Sequence, residues 1–156
     1  MMNRLFRSAA VVFALGASIS AAPQAPPKTA PAPAPVDVKV YLTPTCGCCS
    51  KWVDHMAAAK FNTTKDVRTD LGTVPERKRV PRQLMGCHLA IVGPYVVEGH
   101  VPADVVRKLL KEQPKIAGIA VPGMPTGSPG MEGPNPEPYS IVAFRADGTT
   151  YEFAKR

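Results

Sequence analysis

The sequence has no apolar stretch long enough to cross a membrane. Its main apolar segment, Ala9 to Ile19, is shorter than the roughly 20 residues that a helical span needs. Arg4 and Arg7 precede this segment and small residues follow it, a pattern that predicts a signal peptide over residues 1–20. No cysteine lies at the cleavage site, which argues against a lipoprotein anchor. We therefore expect an exported, periplasmic protein with no membrane span after signal cleavage.

The sequence also lacks the signatures of several enzyme and binding classes. It has no recognisable pair of catalytic carboxylates, no phosphate-binding loop and no Ser-His-Asp arrangement. Aromatic residues make up only 6% of the chain, and none is interleaved with the densest basic patch, Arg77-Lys78-Arg79 with Arg82. Nucleic acid is therefore not an expected partner. The basic patch is expected to be a solvated helix face.

Proline, by contrast, is abundant, with 18 residues, and many of them lie near the start of the chain. Residues 21–35 are mostly Ala and Pro, with Gln24, Lys28 and Thr29, a composition that cannot bury a core and favours extended conformations. We expect this segment to be a linker. The folded domain is then expected over residues 36–156.

Cysteine is scarce but strongly clustered. Three of the four cysteines, Cys46, Cys48 and Cys49, lie within four residues, and Cys87 is followed at once by His88. Structural disulfides are a poor explanation, because bridges within the cluster would close very small loops and stabilise little. Thiols at the start of a helix have lowered pKa values, and thiolates bind soft metals or attack disulfides. The cluster therefore predicts either a metal site or a redox site.

The pattern along the chain predicts a small α/β domain. Alternating residues, helical periodicity and turn signals give the order β-α-β-α-β-β-α. The predicted elements are a strand at 36–42, a helix at 48–60, a strand at 63–70, a short basic helix from Thr73 or Pro75 to before Pro81, strands at 89–92 and 95–98, and a helix through 105–110. With the thiols at the first strand-to-helix junction, this is the order of a thioredoxin-like fold, with helices on the faces of a mixed sheet.

A Gly/Pro/Met-rich segment and a hairpin extend this domain. Residues 118–138 are rich in Gly and Pro and are expected to be a loop, followed by a C-terminal β-hairpin with strands at 140–144 and 149–153. The loop carries Met124 and Met131, which no periodic face would bury. Because thioether sulfur prefers Cu(I), the two methionines are candidates for a lid or for ligands, unless the loop is a disordered linker.

The three histidines give weaker signals. His55 is expected to face solvent, and His100 to cap the last helix or to hydrogen-bond to the hairpin. Alone, Cys87 would be a buried small residue and His88 a surface residue. Three thiols that lack a fourth ligand favour Cys87 as a member of the site, and His88 is included as its neighbour.

Four motifs in the order found here resemble those of the CopG-like family of exported copper-resistance proteins, formerly a metal-binding domain of unknown function. The motifs span 43–49, 85–88, 98–103 and 123–132. The resemblance implies a thioredoxin-like core, a C-terminal extension and a copper site with Cys46, Cys48, Cys49 and Cys87 as thiol ligands and Met124 and the histidines, among them His88, as nearby candidates. Before Cys87 the family usually has a small polar residue, whereas Met85-Gly86 stands here, which implies a local backbone change or an added sulfur ligand.

The leading hypothesis is therefore a periplasmic copper-resistance protein. It would hold Cu(I), as a single ion or a multinuclear cluster, and would interconvert Cu(II) and Cu(I) if its thiols exchange electrons with copper. Copper ions and other periplasmic copper-handling proteins are the expected partners. The alternative is a metal-free thiol-disulfide oxidoreductase that uses Cys46 and Cys49, in which Cys48 and Cys87 scarcely matter. A third hypothesis is a structural zinc module with Cys and His ligands.

Overall fold

A computed structural model describes residues 35–156 of the chain. The predicted signal peptide and all of the predicted linker except Pro35 lie outside these residues. The described part contains seven strands and two α-helices. They are β1 Val36–Leu42, α1 Gly47–Ala58, β2 Phe61–Val67, β3 His88–Val92, β4 Tyr95–Glu98, α2 Ala103–Glu112, β5 Gly118–Ala120, β6 Ser140–Phe144 and β7 Thr150–Lys155. Neither of these helices is long and apolar enough to cross a membrane.

All seven strands belong to one mixed sheet in the order β2-β1-β3-β4-β5-β6-β7. The pairs β1–β2 and β4–β5 are parallel, and the remaining neighbours are antiparallel. The fold is thus α/β, as the residue pattern predicts. The C-terminal hairpin is also present as β6 and β7, and it joins the main sheet through β5.

Both helices pack on one face of the sheet, whereas the sequence analysis expected helices on both faces. The buried residues of α1, including Trp52 and Met56, share one core cluster with Val106 and Leu109 of α2. A second cluster covers the other face. It is built from short 3-10 turns at Leu71–Thr73, Pro75–Arg79 and Arg82–Leu84, which place Leu71, Val74, Val80 and Leu84 against Leu89, Val96 and Phe144.

The basic patch lies on these turns, and it is not a solvated helix face. Arg77 is bonded to the carbonyl of Gly86 through Nη2, at 2.6 Å, and its side chain is only 11% exposed. Arg79 donates to the carbonyls of Pro94 and Ala117. Pro81 ends this segment, because proline has no N–H to donate and a regular helix cannot continue through it. The two arginines instead join the turns to neighbouring loops.

The Gly-rich segment is also more ordered than the sequence analysis expects, because it starts with strand β5. Gly118 is required there, since a Cβ at this position would overlap the Val96 carbonyl oxygen and approach the Phe144 ring to 2.6 Å. Only glycine lets β5 pair with β4 so closely while Phe144 covers the strand. The prediction of a loop over the whole of 118–138 was therefore wrong for its first three residues.

Candidate metal centre

The cysteine cluster lies where β1 ends and α1 begins. Thr43-Pro44-Thr45 forms the connection, and a turn bond from the Cys46 N–H to the Thr43 carbonyl, at 3.2 Å, directs the chain into the helix. Cys46 is the N-cap residue of α1. Cys49, one turn along, faces the core and is fully buried, whereas Cys46 and Cys48 are half-buried. The spacing thus places the cysteines at the end of a helix whose other buried residues anchor it to the sheet.

Cys87 is brought to this cluster by strand pairing. It immediately precedes β3, whose residue His88 pairs with Leu42 at the end of β1. The Thr43 N–H also reaches the Cys87 carbonyl at 3.4 Å. The Sγ atom of Cys87 consequently lies 3.1 Å from that of Cys46 and 3.2 Å from that of Cys49. Four sulfur atoms from two distant parts of the chain therefore lie together at the start of α1.

The four cysteine side chains form a group that could hold a metal ion. The Sγ atoms of Cys46, Cys48, Cys49 and Cys87 all lie within 4.8 Å of one another. Cys46 and Cys49 are joined as a disulfide with their Cα atoms 5.3 Å apart, while Cys48 and Cys87 are free. Burial raises the pKa of the Cys87 thiol, with a smaller contribution from Cys48. A bound cation would offset this burial and displace the thiol proton.

A second group of potential ligands shares Cys87. It consists of Cys87, His88 and His100, whose ligand atoms also lie within 4.8 Å of one another. Both histidines are essentially fully buried, and their rings meet edge to face with centroids 5.1 Å apart. The structure therefore places His88 in the core, where its ring also lies against Trp52, rather than on the surface. His100, which was expected to cap the last helix or to hydrogen-bond to the hairpin, instead lies in this group beside Cys87.

Most of the ring nitrogens of His88 and His100 have no hydrogen-bond partner among the described residues. His100 donates from Nδ1 to the Pro129 carbonyl at 2.8 Å, which leaves the lone pair of its Nε2 free when the ring is neutral. Among the described residues, neither His100 Nε2 nor either ring nitrogen of His88 has a hydrogen-bond partner. Burial lowers the pKa of His88 to about 3, and His100 contributes further to this shift. Buried nitrogens that are neutral and unpaired have the chemistry of metal ligands.

A cavity of about 220 Å³ opens beside Cys87. It is lined by Met85, Gly86, Cys87, Gly99, His100, Gly123 and Met124. Met124, predicted as a ligand candidate from the sequence, therefore lies next to the cluster even though the loop that carries it is far away in sequence. Met131 is half-buried and does not line this cavity.

The loop that carries Met124 is fixed against the cluster. Gly130 adopts a φ of +86° and lies directly on the first turn of α1. An added Cβ would meet the Cys48 carbonyl oxygen at 2.7 Å and the Trp52 backbone nitrogen at 3.0 Å. Its N–H donates to Glu132 at 2.7 Å. With the bond from His100 to Pro129, these contacts hold the loop as an ordered cover over α1, which agrees with a lid and not with a disordered linker.

A buried ion pair holds the segment that carries Cys87. The Glu98 carboxylate is fully buried and accepts the Gly86 N–H at 2.6 Å, while Arg77 lies 3.4 Å from the same oxygen and donates to the Gly86 carbonyl. Burial raises the pKa of Glu98 to about 7, although the bond from Gly86 and the charge of Arg77 both oppose this shift. The N–H and the carbonyl of Gly86, the residue before Cys87, are thus both hydrogen-bonded.

His55 has a structural role that the sequence analysis assigned to His100. Its Nε2 accepts the Ala103 N–H at 3.0 Å and so caps the first turn of α2, and the side chain is half-buried rather than directed to solvent. Burial lowers the pKa of His55, which keeps the ring neutral and able to accept. Its position between two helices depends on their packing, which periodicity alone does not give.

Comparisons with known proteins identify the family. A family model described as "Protein of unknown function, DUF411" matches residues 84–131, which include Cys87, both buried histidines and the part of the loop that carries Met124 and Met131. Two solved structures, named "Copper resistance protein copG" in forms 1 and 2, are each 37% identical to this chain. Each match covers 78% of this chain and 98% of the other, with a TM-score of 0.72. No curated protein sequence matches.

The chain belongs to the CopG family of copper resistance proteins. The family resemblance inferred from the four sequence motifs is therefore confirmed. Together with the cysteine and histidine groups, CopG membership points to a copper-related function and to metal binding.

The buried carboxyl group predicts an unusual pH dependence of stability. Because the pKa of Glu98 is raised from 4.5 to about 7 on folding, its contribution is fully present below pH 4.5 and is lost as the pH rises through 7. Relative to Glu98→Gln, the wild-type chain should lose up to about 3 kcal/mol of unfolding free energy between pH 4.5 and 8. Urea unfolding of the metal-free protein at several pH values measures this difference.

The exposed Glu112 of α2 offers a matched control. Glu112→Gln should leave the pH profile of the wild-type chain unchanged. A Glu98→Gln profile parallel to that of the wild-type chain would show that this carboxyl group titrates normally.

The docked loop predicts different effects for two glycines with similar backbone conformations. Gly123 also has a positive φ, of +71°, but nothing lies within 4 Å of an added Cβ, whereas Gly130 touches α1. Both alanine variants carry the backbone strain, and only Gly130→Ala adds overpacking, which costs about 1–3 kcal/mol more. Urea unfolding of both variants measures the difference, and equal losses would mean that the loop does not press on the helix.

Proposed function

We propose that this CopG-family chain is a periplasmic protein that binds Cu(I) through Cys46, Cys48, Cys49 and Cys87. The observation that carries the proposal is the convergence of the four sulfur atoms, with Cys87 within 3.2 Å of both Cys46 and Cys49. Thiolate and thioether sulfur are ligands that favour Cu(I). The names of the two related structures refer to copper resistance, which supports copper over other soft ions.

The adjoining histidines support more than one copper position. Cys87 belongs to both ligand groups, so its sulfur would be shared between an ion held by the cysteines and an ion near His88 and His100. Thiolates bridge metals readily, and the unpaired buried nitrogens would gain a partner on binding. A multinuclear cluster is accordingly the arrangement we propose, with His88 as a ligand of the inner position.

The disulfide supports a redox role for the same site. Oxidation of the Cys46 and Cys49 thiols to a disulfide releases two electrons and two protons, which suffices to reduce two Cu(II) ions to Cu(I). The reverse reaction returns the electrons and restores both thiols. Interconversion of Cu(II) and Cu(I) would thus need no group other than those present.

The thioredoxin-like arrangement remains part of this proposal. The strands β2-β1-β3-β4 are adjacent, only β3 runs opposite to the other three, and the cysteines follow β1. One departure is the region between β2 and β3, where 3-10 turns replace the predicted second helix. Export to the periplasm is inferred from residues 1–20, and other periplasmic copper-handling proteins are the proposed partners.

Replacing single cysteines tests the proposal. In the anaerobic, reduced protein, Cys87→Ser and Cys48→Ser should each weaken Cu(I) binding by at least about 100-fold, the upper end of what loss of an outer-shell partner costs. Competition with a chromophoric Cu(I) chelator measures this affinity. Met56→Leu, a change of similar volume on the buried face of α1, is the control and should bind as the wild-type chain does.

The metal-free oxidoreductase predicts a different pattern. Cys48→Ser and Cys87→Ser would then leave Cu(I) affinity unchanged, and both variants would retain the insulin reductase activity of the wild-type chain. A structural zinc module predicts that zinc removal unfolds the domain, since zinc binding supplies folding energy in such modules. Either result would contradict the copper assignment.

A further inference from the structure

The cavity beside Cys87 is flanked by two exposed methionines. Among residues 35–156 only four large hydrophobic side chains are exposed, and Met85 and Met124 are two of them, at 38% and 57%. Both line this one cavity, although they come from different segments of the chain. Exposed apolar side chains carry a cost in water, and two thioethers at one opening are not explained by packing of the core.

The chain fixes Met85 at this opening through its neighbour. Glu98 and Arg77 bind the N–H and the carbonyl of Gly86, and this residue separates Met85 on the outside from Cys87 on the inside. The 3-10 turn at Arg82–Leu84 precedes Met85, and the Met85 N–H donates to the Arg82 carbonyl. The methionine is therefore held near the cavity even though its side chain is exposed.

A buried imidazole lies behind the two thioethers. His100 also lines the cavity, is 1% exposed, and has no hydrogen-bond partner for Nε2 among the described residues. Its Nδ1–H is committed to Pro129, which fixes the ring orientation and leaves the ligating nitrogen available. This unpaired nitrogen is an independent sign that the cavity receives a metal ion, because its lone pair has no other partner there.

We propose that Met85 and Met124 form an entry site for Cu(I), distinct from the cysteine cluster, from which the ion passes by His100 to Cys87. This inference rests on the proposed function, since it takes Cu(I) as the cargo. Thioethers and a neutral imidazole bind a soft monovalent ion without releasing a proton, so capture does not depend on thiol deprotonation. Thiolates bind Cu(I) more strongly than thioethers do, and transfer inward is therefore downhill.

The entry site is tested in a full-length chain whose four cysteines are all replaced by serine. This chain should still bind a single Cu(I), measured by competition with a weak chromophoric chelator under anaerobic conditions. Adding Met85→Leu and Met124→Leu should weaken that binding by at least about tenfold. Adding Met131→Leu, on the same loop but away from the cavity, should leave it unchanged. The proposal is wrong if the folded cysteine-free chain retains no Cu(I), or if replacing the two methionines has no effect.

A second measurement covers the case in which the cysteine-free chain does not fold. In the wild-type chain labelled with [¹³C-methyl]methionine, the cysteines are first filled with Ag(I), a redox-inert substitute for Cu(I). The next equivalent of Ag(I) should shift the methyl signals of Met85 and Met124, while that of the buried Met56 stays in place. Unmoved signals at either cavity methionine would overturn the entry site.

The two proposals fail in different ways. If the cysteine variants bind Cu(I) as tightly as the wild-type chain, the proposed function fails, whatever the methionine signals show. If the cysteines bind Cu(I) but Met85 and Met124 show no response, only the entry site fails.

Discussion

The antiparallel pairing of β1 with β3 is the constraint on which the site depends. It sets His88 opposite Leu42, and so places Cys87 next to the turn from which α1 begins. The three cysteines of that turn could gather by themselves at the start of a helix, but the fourth sulfur arrives only through this register. A shift of one residue would turn the side chain of Cys87 to the other face of the sheet, away from the cluster.

The surrounding structure maintains this arrangement through polar groups that are unusual in a core. The Glu98–Arg77 pair binds Gly86 at both ends, and His100 binds Pro129 in the loop above α1. Buried groups of this kind stabilise little by themselves, because desolvation offsets much of their attraction. Their consequence here is positional: they fix the segments that carry Cys87, Met85 and Met124. These buried polar groups therefore serve mainly to fix the geometry around the sulfur atoms.

Much of the fold could be predicted from local patterns, and the errors have physical reasons. The alternation of Val38 and Val40 with polar residues gives β1, and the helical spacing of Trp52 and Met56 gives α1. The strand β5 was missed because its three residues have no periodicity and begin with a glycine that close packing requires. The basic segment was predicted as a helix because Thr73 or Pro75 can start one before Pro81, and its charges suggested a solvated face, whereas Arg77 is bound inside the structure.

The candidate site was predictable as far as its cysteines and less so for its other members. Clustered thiols are rare enough in sequence to indicate chemistry without a structure, and Met124 was suggested by the softness of its sulfur. The burial of His88 and His100 in one group depends on β3 and on the turn after β4, and no local pattern reports such a contact. The same is true of His55, whose role as a helix cap arises only from the packing of α1 against α2.

Copper K-edge X-ray absorption of the anaerobically loaded, reduced protein tests the central claim most directly, because it reports the atoms around the metal. We expect a Cu(I) edge, a first shell dominated by sulfur, and scattering from a second copper when more than one equivalent is bound. A first shell of nitrogen and oxygen that is unchanged in Cys87→Ser would contradict it.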